Sequence, residues 1–342
     1  MAKFSFAQFG NDLYTGKKSF GFVAKRKLWY LLALVFVVIA VLGPLVRGGY
    51  ALGIEFTGGS QFQVHVGEQE RDTAPAIAAV KEVVGDSEPR VTLVGTSDVQ
   101  VQTAQLEKAD SQRVAELLAA AYNVDQSEVT SSFIGAVWGK DVTRSAVIAL
   151  VVFLLFATVT MAIYFRTWKM SLAAMIALAH DMIVTAGVYG LAGFEITPAA
   201  VIGFLTILGY SLYDTVVVFD KIRENTIPDV MREKQQTFAE AVNLAVNQTL
   251  VRSINTSVVG LLPVGSILFI GAYVLGAGTL RDIALALFIG ILVGAYSTIF
   301  IAAPVYVHMR EKESALQELD AEIIAVKNGE VKKKAARKSV KK

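Results

Sequence analysis

The chain has 342 residues, of which 54% are hydrophobic and only 18% are charged, and its mean hydropathy is +0.51. Water-soluble enzymes rarely have so little charge, so the composition indicates a membrane protein. The sequence contains no cysteine, which excludes disulfides, thiolate metal sites and a cysteine nucleophile. Its three histidines, His65, His180 and His308, are too far apart in the sequence for an HExxH zinc pair.

Six apolar stretches come close to the roughly 20 residues that a helix needs to cross a hydrocarbon core. They lie at residues 28–46, 145–165, 170–194, 196–219, 253–274 and 283–307. The first follows Lys25, Arg26 and Lys27, as a signal peptide would, but its length and the lack of a clear small-residue cleavage site favour a retained anchor. We therefore predict a polytopic α-helical membrane protein with six transmembrane helices, the last five forming a bundle at 141–310.

Lysine and arginine are concentrated on one predicted side of these spans. They cluster in an N-terminal segment (1–27), the connection 166–169, a loop at 220–252 and a tail at 311–342. The positive-inside rule places all four segments, and so both termini, in the cytoplasm. Residues 327–342 carry eight basic residues and one acidic residue, so we predict that the tail at 311–342 is disordered. Such a tail would lie near anionic lipids, or would contact ribosomal RNA or an acidic partner.

Residues 47–140, between the first two spans, are predicted to form an extracytoplasmic domain. Their seven basic and thirteen acidic residues give a net charge of −6, which argues against nucleic acid or anionic lipid as a ligand. The residue patterns predict strands at 54–66, 90–94, 99–103 and 129–134, and helices at 74–84 and 111–122. This βαββαβ order is typical of an α+β, ferredoxin-like fold, in which two helices cover one face of a four-stranded antiparallel sheet.

Two aspartates, Asp181 and Asp214, fall inside the third and fourth predicted spans. A carboxylate at the centre of a membrane helix costs about 2.5 to 3.5 kcal/mol, and such groups usually handle ions or protons. Tyr210 and Ser211 precede Asp214 by four and three residues, so we expect them on its helix face as hydrogen-bonding neighbours. These residues are candidates for a proton pathway.

Arg252 precedes the fifth predicted span and is followed at i+3 and i+4 by Asn255 and Thr256. An approach of its guanidinium would stabilise the anion of Asp214, so the pair could alternate between two states as a proton is loaded and released. Two structural interpretations compete with this one. Arg252 could form a static ion pair between helices, or could extend to the inner interface without contacting Asp214.

Two intramembrane aspartates also suggest an aspartyl protease, in which two carboxyl groups share a proton. Tyr213 and Asp214 match half of a presenilin-type signature. The other half, Gly-x-Gly-Asp, is absent from the sequence, because the third span has Ala179, His180 and Asp181 at the corresponding place. We therefore disfavour a protease and expect His180 to be a satisfied polar residue of the core.

Three motifs carry a family resemblance. They are GIEFTGGS at 53–60, with Gly53, Glu55, Phe56, Gly58 and Gly59, GYSLYDTVVVFDKIREN at 209–225, and TLVRSINTS at 249–257. No Lys-Ser/Thr follows the glycines, so they favour a turn or bulge over a phosphate loop. Over about residues 20–310 the sequence resembles the SecF side of the SecD/SecF family of bacterial protein-export subunits.

The resemblance implies one half of an exporter fold related to resistance-nodulation-division transporters, completed by a SecD subunit. It implies a multi-pass protein of the bacterial inner membrane that uses proton flow to help the SecYEG channel and the SecA motor translocate preproteins. In this family, residues that match Asp214 and Arg252 are tied to proton passage. H⁺ is the expected coupling ion, with Na⁺ as the alternative. Membrane lipids are expected partners, and nucleic acid, metals, other cofactors and enzymatic activity are not expected.

Two other functions stay open from the residues. The first is a complete exporter of lipid or of hydrophobic small molecules, with the domain at 47–140 as the substrate pocket. Such an exporter would need twelve spans, or would have to pair with itself. The second is a passive assembly scaffold without ion flow, in which substitutions at Asp181 and Asp214 would have no effect.

Overall fold

The computed structural model describes residues 6–46, 48–67, 72–85, 89–94, 97–165, 167–271 and 278–328. Within these ranges, six helices are long and apolar enough to cross a membrane. They are Arg26–Val46, Val137–Phe165, Trp168–Ala192, Pro198–Asn225, Phe238–Gly271 and Leu280–Arg310. The chain is thus mostly helical, with six apolar helices of spanning length and a small sheet region, as the hydropathy pattern predicts.

The described elements follow one another as helices interrupted by a short run of strands. The helices are α1 (Phe6–Tyr14), α2 (Arg26–Val46), α3 (Ile54–Thr57), α4 (Ala74–Val84), α5 (Lys108–Ala121), α6 (Ala136–Phe165), α7 (Trp168–Ala192), α8 (Pro198–Asn225), α9 (Pro228–Lys234), α10 (Phe238–Ser266), α11 (Gly278–Ser297), α12 (Ala303–Arg310) and α13 (Ser314–Lys327). The strands are β1 (Ala51–Leu52), β2 (Gly59–His65), β3 (Arg90–Val94), β4 (Asp98–Thr103), β5 (Val129–Ile134) and β6 (Glu195–Ile196). A π-helical segment, Thr298–Ala302, joins α11 to α12.

Helix α8 packs against α7, α10 and α11 in the middle of the bundle. Small residues allow this close approach, because lipid supplies no hydrophobic force between helices and packing has to hold them. A Cβ at Gly203 of α8 would overlap Ala286 of α11, and one at Gly290 of α11 would overlap Ile207 of α8. The contact between α2 and α7 is similar, since a Cβ at Gly187 would overlap the backbone of Ala40.

The inserted domain, Ala51–Ile134, contains a four-stranded sheet in the order β3-β4-β2-β5, with every neighbouring pair antiparallel. Along β2, Phe62 and Val64 face a buried apolar cluster that α4 and α5 cover. The alternating residues Gln61 and Gln63 lie on the opposite face. This alternation with a period of two residues is the pattern that predicts a strand covered on one face.

The first predicted strand, 54–66, is divided in the structure. Helix α3 forms one turn over Ile54–Thr57, and β2 begins only at Gly59. Between them Gly58 and Gly59 have φ of 74° and 134°, values that favour glycine and change the chain direction. A Cβ at Gly59 would also collide with the carbonyl of Thr103 on the neighbouring strand. The glycine pair therefore ends the helical turn and lets β2 lie against β4.

The predicted loop at 220–252, which connects the fourth and fifth apolar runs, is largely helical in the structure. Helix α8 continues to Asn225, α9 follows, and α10 begins at Phe238, where Thr237 and Glu240 form a capping box. The apolar run marks where lipid begins, whereas the helix continues into the polar region. Consequently Arg252 lies in the middle of helix α10, directly before the apolar run that begins at residue 253.

The predicted disorder of 311–342 is wrong for its first part. Helix α13 buries Leu316, Leu319 and Ile323 in the same apolar cluster as the membrane-spanning helices. Its three apolar residues have helical spacing, which the basic composition of the tail obscured. Residues 329–342 lie outside the described residues.

We expect Gly187→Ala to destabilise the protein, because the added methyl group would overlap the Ala40 backbone. Overpacking of this kind costs about 1–3 kcal/mol, so the midpoint of thermal unfolding in detergent should fall by several degrees. Gly209→Ala is the matched control, since a Cβ there meets no heavy atom within 4 Å and alanine favours the helix. Equal midpoints for the two variants would show that the α2–α7 contact is not tight.

Candidate functional site

Helices α7, α8, α10 and α11 enclose a group of buried polar side chains in an otherwise apolar bundle. Its members are His180, Asp181, Thr185, Ser211, Asp214, Thr215, Ser253, Ser257 and Ser297, with Thr298 following α11. Polar groups withdrawn from water are costly unless they find hydrogen-bond partners. The partners that each one finds therefore show what the site can do.

Asp214, on α8, is only 5% exposed and has one hydrogen-bond partner among the described residues. Its Oδ1 accepts a hydrogen bond of 3.0 Å from Ser253 Oγ on α10. Its Oδ2 is buried and has no partner within the described part of the chain. This oxygen can take up a proton or accept a hydrogen bond without breaking an existing contact.

Asp181, on α7, is completely buried and is more fully bonded. Its Oδ2 accepts a hydrogen bond of 2.6 Å from Ser211 Oγ on α8, and its Oδ1 lies 3.4 Å from Nδ1 of His180. The Nε2 of His180 is buried without a partner among the described residues, contrary to our expectation of a satisfied histidine. Asp181 thus connects α7 to α8 at Ser211, which precedes Asp214 by about one helical turn.

The predicted neighbours of Asp214 bond elsewhere. Ser211 bonds Asp181, and the hydroxyl of Tyr210 donates to the carbonyl of Thr256 at 2.7 Å. Consecutive helix residues project about 100° apart, so Tyr210 faces α10 while Ser211 faces α7. The spacing rule gives the side of a helix on which a hydroxyl lies, but the hydroxyl bonds whichever neighbouring helix it meets there.

Arg252 is exposed on α10, and its guanidinium contacts Tyr213, with Nη2 3.4 Å from the phenolic oxygen. Tyr213 and Asn255 are also exposed, and the hydroxyl of Thr256 bonds the carbonyl of Arg252 at 2.9 Å. We name the surface formed by Tyr213, Arg252 and Asn255 the α8–α10 face. The α8–α10 face therefore presents a cation and two exposed polar side chains beside buried Asp214.

A second site lies where the inserted domain meets the bundle. Strand β1 pairs with β6 in the α7–α8 connection, and the amide of Gly53 donates to the carbonyl of Ile196 at 3.0 Å. The carboxylate of Glu195 accepts hydrogen bonds from the side-chain amides of Gln100, at 3.0 Å, and Gln102. Two neutral amides from the polar face of the sheet thus hold one anion, and we name this contact the junction.

The motif at 53–60 contributes two more side chains beside the junction. Oε2 of Glu55 is buried without a partner among the described residues, and burial raises the pKa of Glu55. The nearby charges of Glu195 and Asp282 raise it further, while a backbone hydrogen bond opposes the rise. Phe56 lines a cleft of about 540 Å³ with Trp138 and other residues of α6 and α8.

The sequence analysis missed Ser253 and Glu195. Ser253 had a signal, because Ser253 and Ser257 are hydroxyl residues four apart in an apolar span. Glu195 also had one, since it is the only ionisable residue in the short connection 193–197. Neither signal identifies the partner, which comes from a distant part of the chain.

We expect the junction to become more stable as the pH falls. Since the pKa of Glu55 is raised in the folded protein, the folded state binds its proton more tightly than the unfolded state. Stability is therefore gained as the pH falls through the raised pKa, until the ordinary value of 4.5 is reached. Glu55→Gln should mimic the protonated state at every pH.

Hydrogen–deuterium exchange of residues 51–67 tests this expectation. At about pH 7.5 the Glu55→Gln variant should exchange more slowly than wild type, and the difference should shrink towards about pH 5. Comparison at equal pH removes the intrinsic dependence of exchange on pH. Glu128→Gln, an exposed glutamate of the same domain, should match wild type throughout. A Glu55→Gln variant that exchanges like wild type at both values would contradict the assignment.

Comparison with known proteins places this arrangement in context. A family profile described as "Protein export membrane protein SecD/SecF, C-terminal" matches residues 113–312. The protein translocase subunit SecF of Streptomyces coelicolor is 41% identical over 324 residues, which are 92% of this chain and 83% of that relative. SecF of Mycobacterium tuberculosis is 37% identical over 341 residues, covering 96% and 75% of the two chains.

A solved structure shows the same architecture. The crystal structure of SecDF from Thermus thermophilus, described as a translocon-associated membrane protein, superposes with a TM-score of 0.73 at 29% sequence identity. The match covers 86% of this chain but only 39% of that longer chain. This chain therefore corresponds to less than half of the SecDF molecule.

Proposed function

The chain belongs to the SecD/SecF family of protein-export membrane proteins and has an accessory role in the Sec pathway, and we propose that proton flow past Asp214 drives this role. It is a multi-pass membrane protein of a translocase, which is a transport function. The proton proposal depends on one observation: Oδ2 of Asp214 is buried and has no partner among the residues that the structure describes.

The chemistry of that oxygen supports a proton step. Among the described residues, Asp214 has a hydrogen bond with the hydroxyl of Ser253 alone, and that hydroxyl can donate to a carboxylate or accept from a carboxylic acid. The same pair of residues can therefore serve both protonation states with a rotation of one hydroxyl group. A proton that crosses 100 mV releases about 2.3 kcal/mol, enough to shift a two-state equilibrium noticeably.

We propose that a SecD subunit packs against the α8–α10 face and covers it. This face carries the exposed side chains of Arg252 and Tyr213 on two helices of spanning length, and a cation there is placed more favourably against a protein partner than against lipid. The longer SecDF relative, of which this chain matches 39%, joins further chain to the region that this protein resembles. Rearrangement against such a partner would bring Arg252 close to Asp214 in one state and away from it in the other.

The junction supplies the link from the proton site to the inserted domain. Helix α8 runs from Thr197, whose side chain caps it, through Ser211 to Asp214. A shift of α8 would therefore displace Glu195 and the two glutamines that it holds. In this proposal the inserted domain is a ferredoxin-like, extracytoplasmic domain at the outer side of a bacterial inner membrane, and both termini are cytoplasmic. The other partners are SecYEG, SecA and a translocating preprotein.

Asp214→Asn tests the proton step, since it removes the charge while keeping the size of the side chain. Export of a signal-bearing protein should be measured in cells depleted of their own copy, with and without a protonophore. We expect Asp214→Asn to export at the rate of the depleted cells, and the protonophore to slow only the wild type. Asp229→Asn, whose carboxylate is 93% exposed on α9, is the matched control and should behave like wild type.

Full export by Asp214→Asn at normal membrane levels would contradict the proposal and give Asp214 a structural role. Asp181→Asn, tested in parallel, shows whether the second carboxylate takes part. We expect it to lower the amount of folded protein, because Asp181 holds α7 to α8 through Ser211. A sodium ionophore in place of the protonophore distinguishes the coupling ion, and loss of export with it alone would assign Na⁺.

A further inference from the structure

A cavity lies at the end of the bundle where α2 begins, and its lining residues differ from the polar residues around Asp214. It has a volume of about 970 Å³ and is formed by the segment between α1 and α2, the first turn of α2, the α9–α10 connection and parts of α10 and α13. A cavity of this size is large enough for a drug-sized ligand or a lipid headgroup. None of the residues discussed for proton flow lines it.

Five cations line this cavity against two carboxylates, and they are Lys25, Arg26, Lys27, Lys234 and Lys327. Arg26 forms a two-pronged ion pair with Glu311, with N–O distances of 2.6 and 3.1 Å. Lys327 bonds Glu240 at 3.0 Å. Both carboxylates of the cavity wall are thus neutralised by these two pairs.

The remaining three lysines give the cavity an excess of positive charge. Lys25, Lys27 and Lys234 are exposed, and no carboxylate in the described part of the chain lies within ion-pair distance of them. Lys234 makes only a long contact of 3.5 Å with the side chain of Asn225. Three ammonium groups around one cavity favour an anion with several oxygen acceptors, such as a phosphate ester.

The position of the cavity identifies the source of that phosphate. Arg26, Lys27 and Leu28 form the first turn of a membrane-spanning helix, so the mouth of the cavity lies at the level of lipid headgroups. Small and apolar residues form much of its wall, among them Gly21, Ala24 and Leu244. An anionic head with a hydrophobic continuation fits such a wall better than a fully soluble anion does.

The chain's own tail does not suit the site. Residues 329–342 carry seven basic residues and one acidic residue, so their charge has the same sign as the three lysines. Repulsion between like charges disfavours the tail as an occupant of the cavity. An external anion is therefore required.

We propose that this cavity binds the phosphate headgroup of an anionic phospholipid through Lys25, Lys27 and Lys234. The acyl chains then follow the exposed apolar side of α2, which begins at Leu28. The site is separate from Asp214 and does not depend on proton coupling. It fixes the position of α2, and with it the Gly187 contact to α7, relative to the membrane surface.

Native mass spectrometry of the full chain in detergent tests the proposal, with phosphatidylglycerol as the anionic probe and phosphatidylcholine as the neutral one. The test variant is Lys25→Gln/Lys27→Gln/Lys234→Gln. The matched control removes three exposed cations of the same end that do not line the cavity, as Lys17→Gln/Arg223→Gln/Lys312→Gln. Each lysine near an anionic surface contributes about fivefold, so the test variant should bind phosphatidylglycerol about 100-fold more weakly.

Wild type and the control should retain phosphatidylglycerol in preference to phosphatidylcholine, and inorganic phosphate or glycerol phosphate at millimolar concentration should not displace it. Equal weakening in both triple variants, or no preference for the anionic lipid, would overturn the proposal. Displacement by glycerol phosphate would also overturn it, by assigning the site to a soluble phosphate. The thermal unfolding midpoint of each variant shows whether it is folded before its binding is compared.

Discussion

The hydrogen bond from Ser253 to Asp214 sets the main constraint on this protein. A carboxyl group inside a membrane-spanning bundle has few polar neighbours, and here its Oδ1 meets a single hydroxyl while its Oδ2 meets none among the described residues. Such a group persists only if packing elsewhere holds the helices together. The glycine contacts of α8 with α11 and of α2 with α7 provide that packing, because they bring helix backbones close without polar groups.

Helix α8 joins the two sites that matter. From Pro198 to Asp214 it spans about 24 Å at 1.5 Å per residue, which connects the junction to the middle of the bundle through one rigid element. At its beginning, Thr197 bonds Asp282 of α11 at 2.8 Å, and Glu195 holds Gln100 and Gln102 of the inserted domain. Any change at Asp214 that moves α8 would therefore displace Glu195 and the strand β4 that it bonds.

The sequence predicted those features that depend on the solvent of each segment. Hydropathy located six spans, and alternation along β2 identified which residues face the apolar cluster. The sequence-based predictions failed where hydrogen bonds or backbone geometry determine the bounds of an element. The helices α8 and α10 continue beyond the lipid because backbone hydrogen bonding does not stop at the membrane surface. The strand at 54–66 divides because Gly58 and Gly59 adopt positive φ.

Side-chain partners were harder to predict than helices. Spacing places Ser211 and Asp214 on one face of α8, but it contains no information about which helix packs there. Ser211 faces α7 and bonds Asp181. The hydroxyl that bonds Asp214 comes instead from Ser253, 39 residues away in the sequence. The start of α10 was misjudged for a related reason, since an apolar window cannot locate it at Phe238.

The two aspartates differ in a way that separates structure from function. Asp181 is enclosed, with Ser211 of α8 bonded to one oxygen and His180 of its own helix near the other, so both of its oxygens have a polar neighbour. Asp214 keeps one oxygen unbonded, so its protonation costs no contact with the described residues. A group that carries protons through repeated cycles has to change state without loosening the bundle. The unbonded oxygen of Asp214 fits that requirement, and it lies beside the α8–α10 face, where we propose a partner subunit.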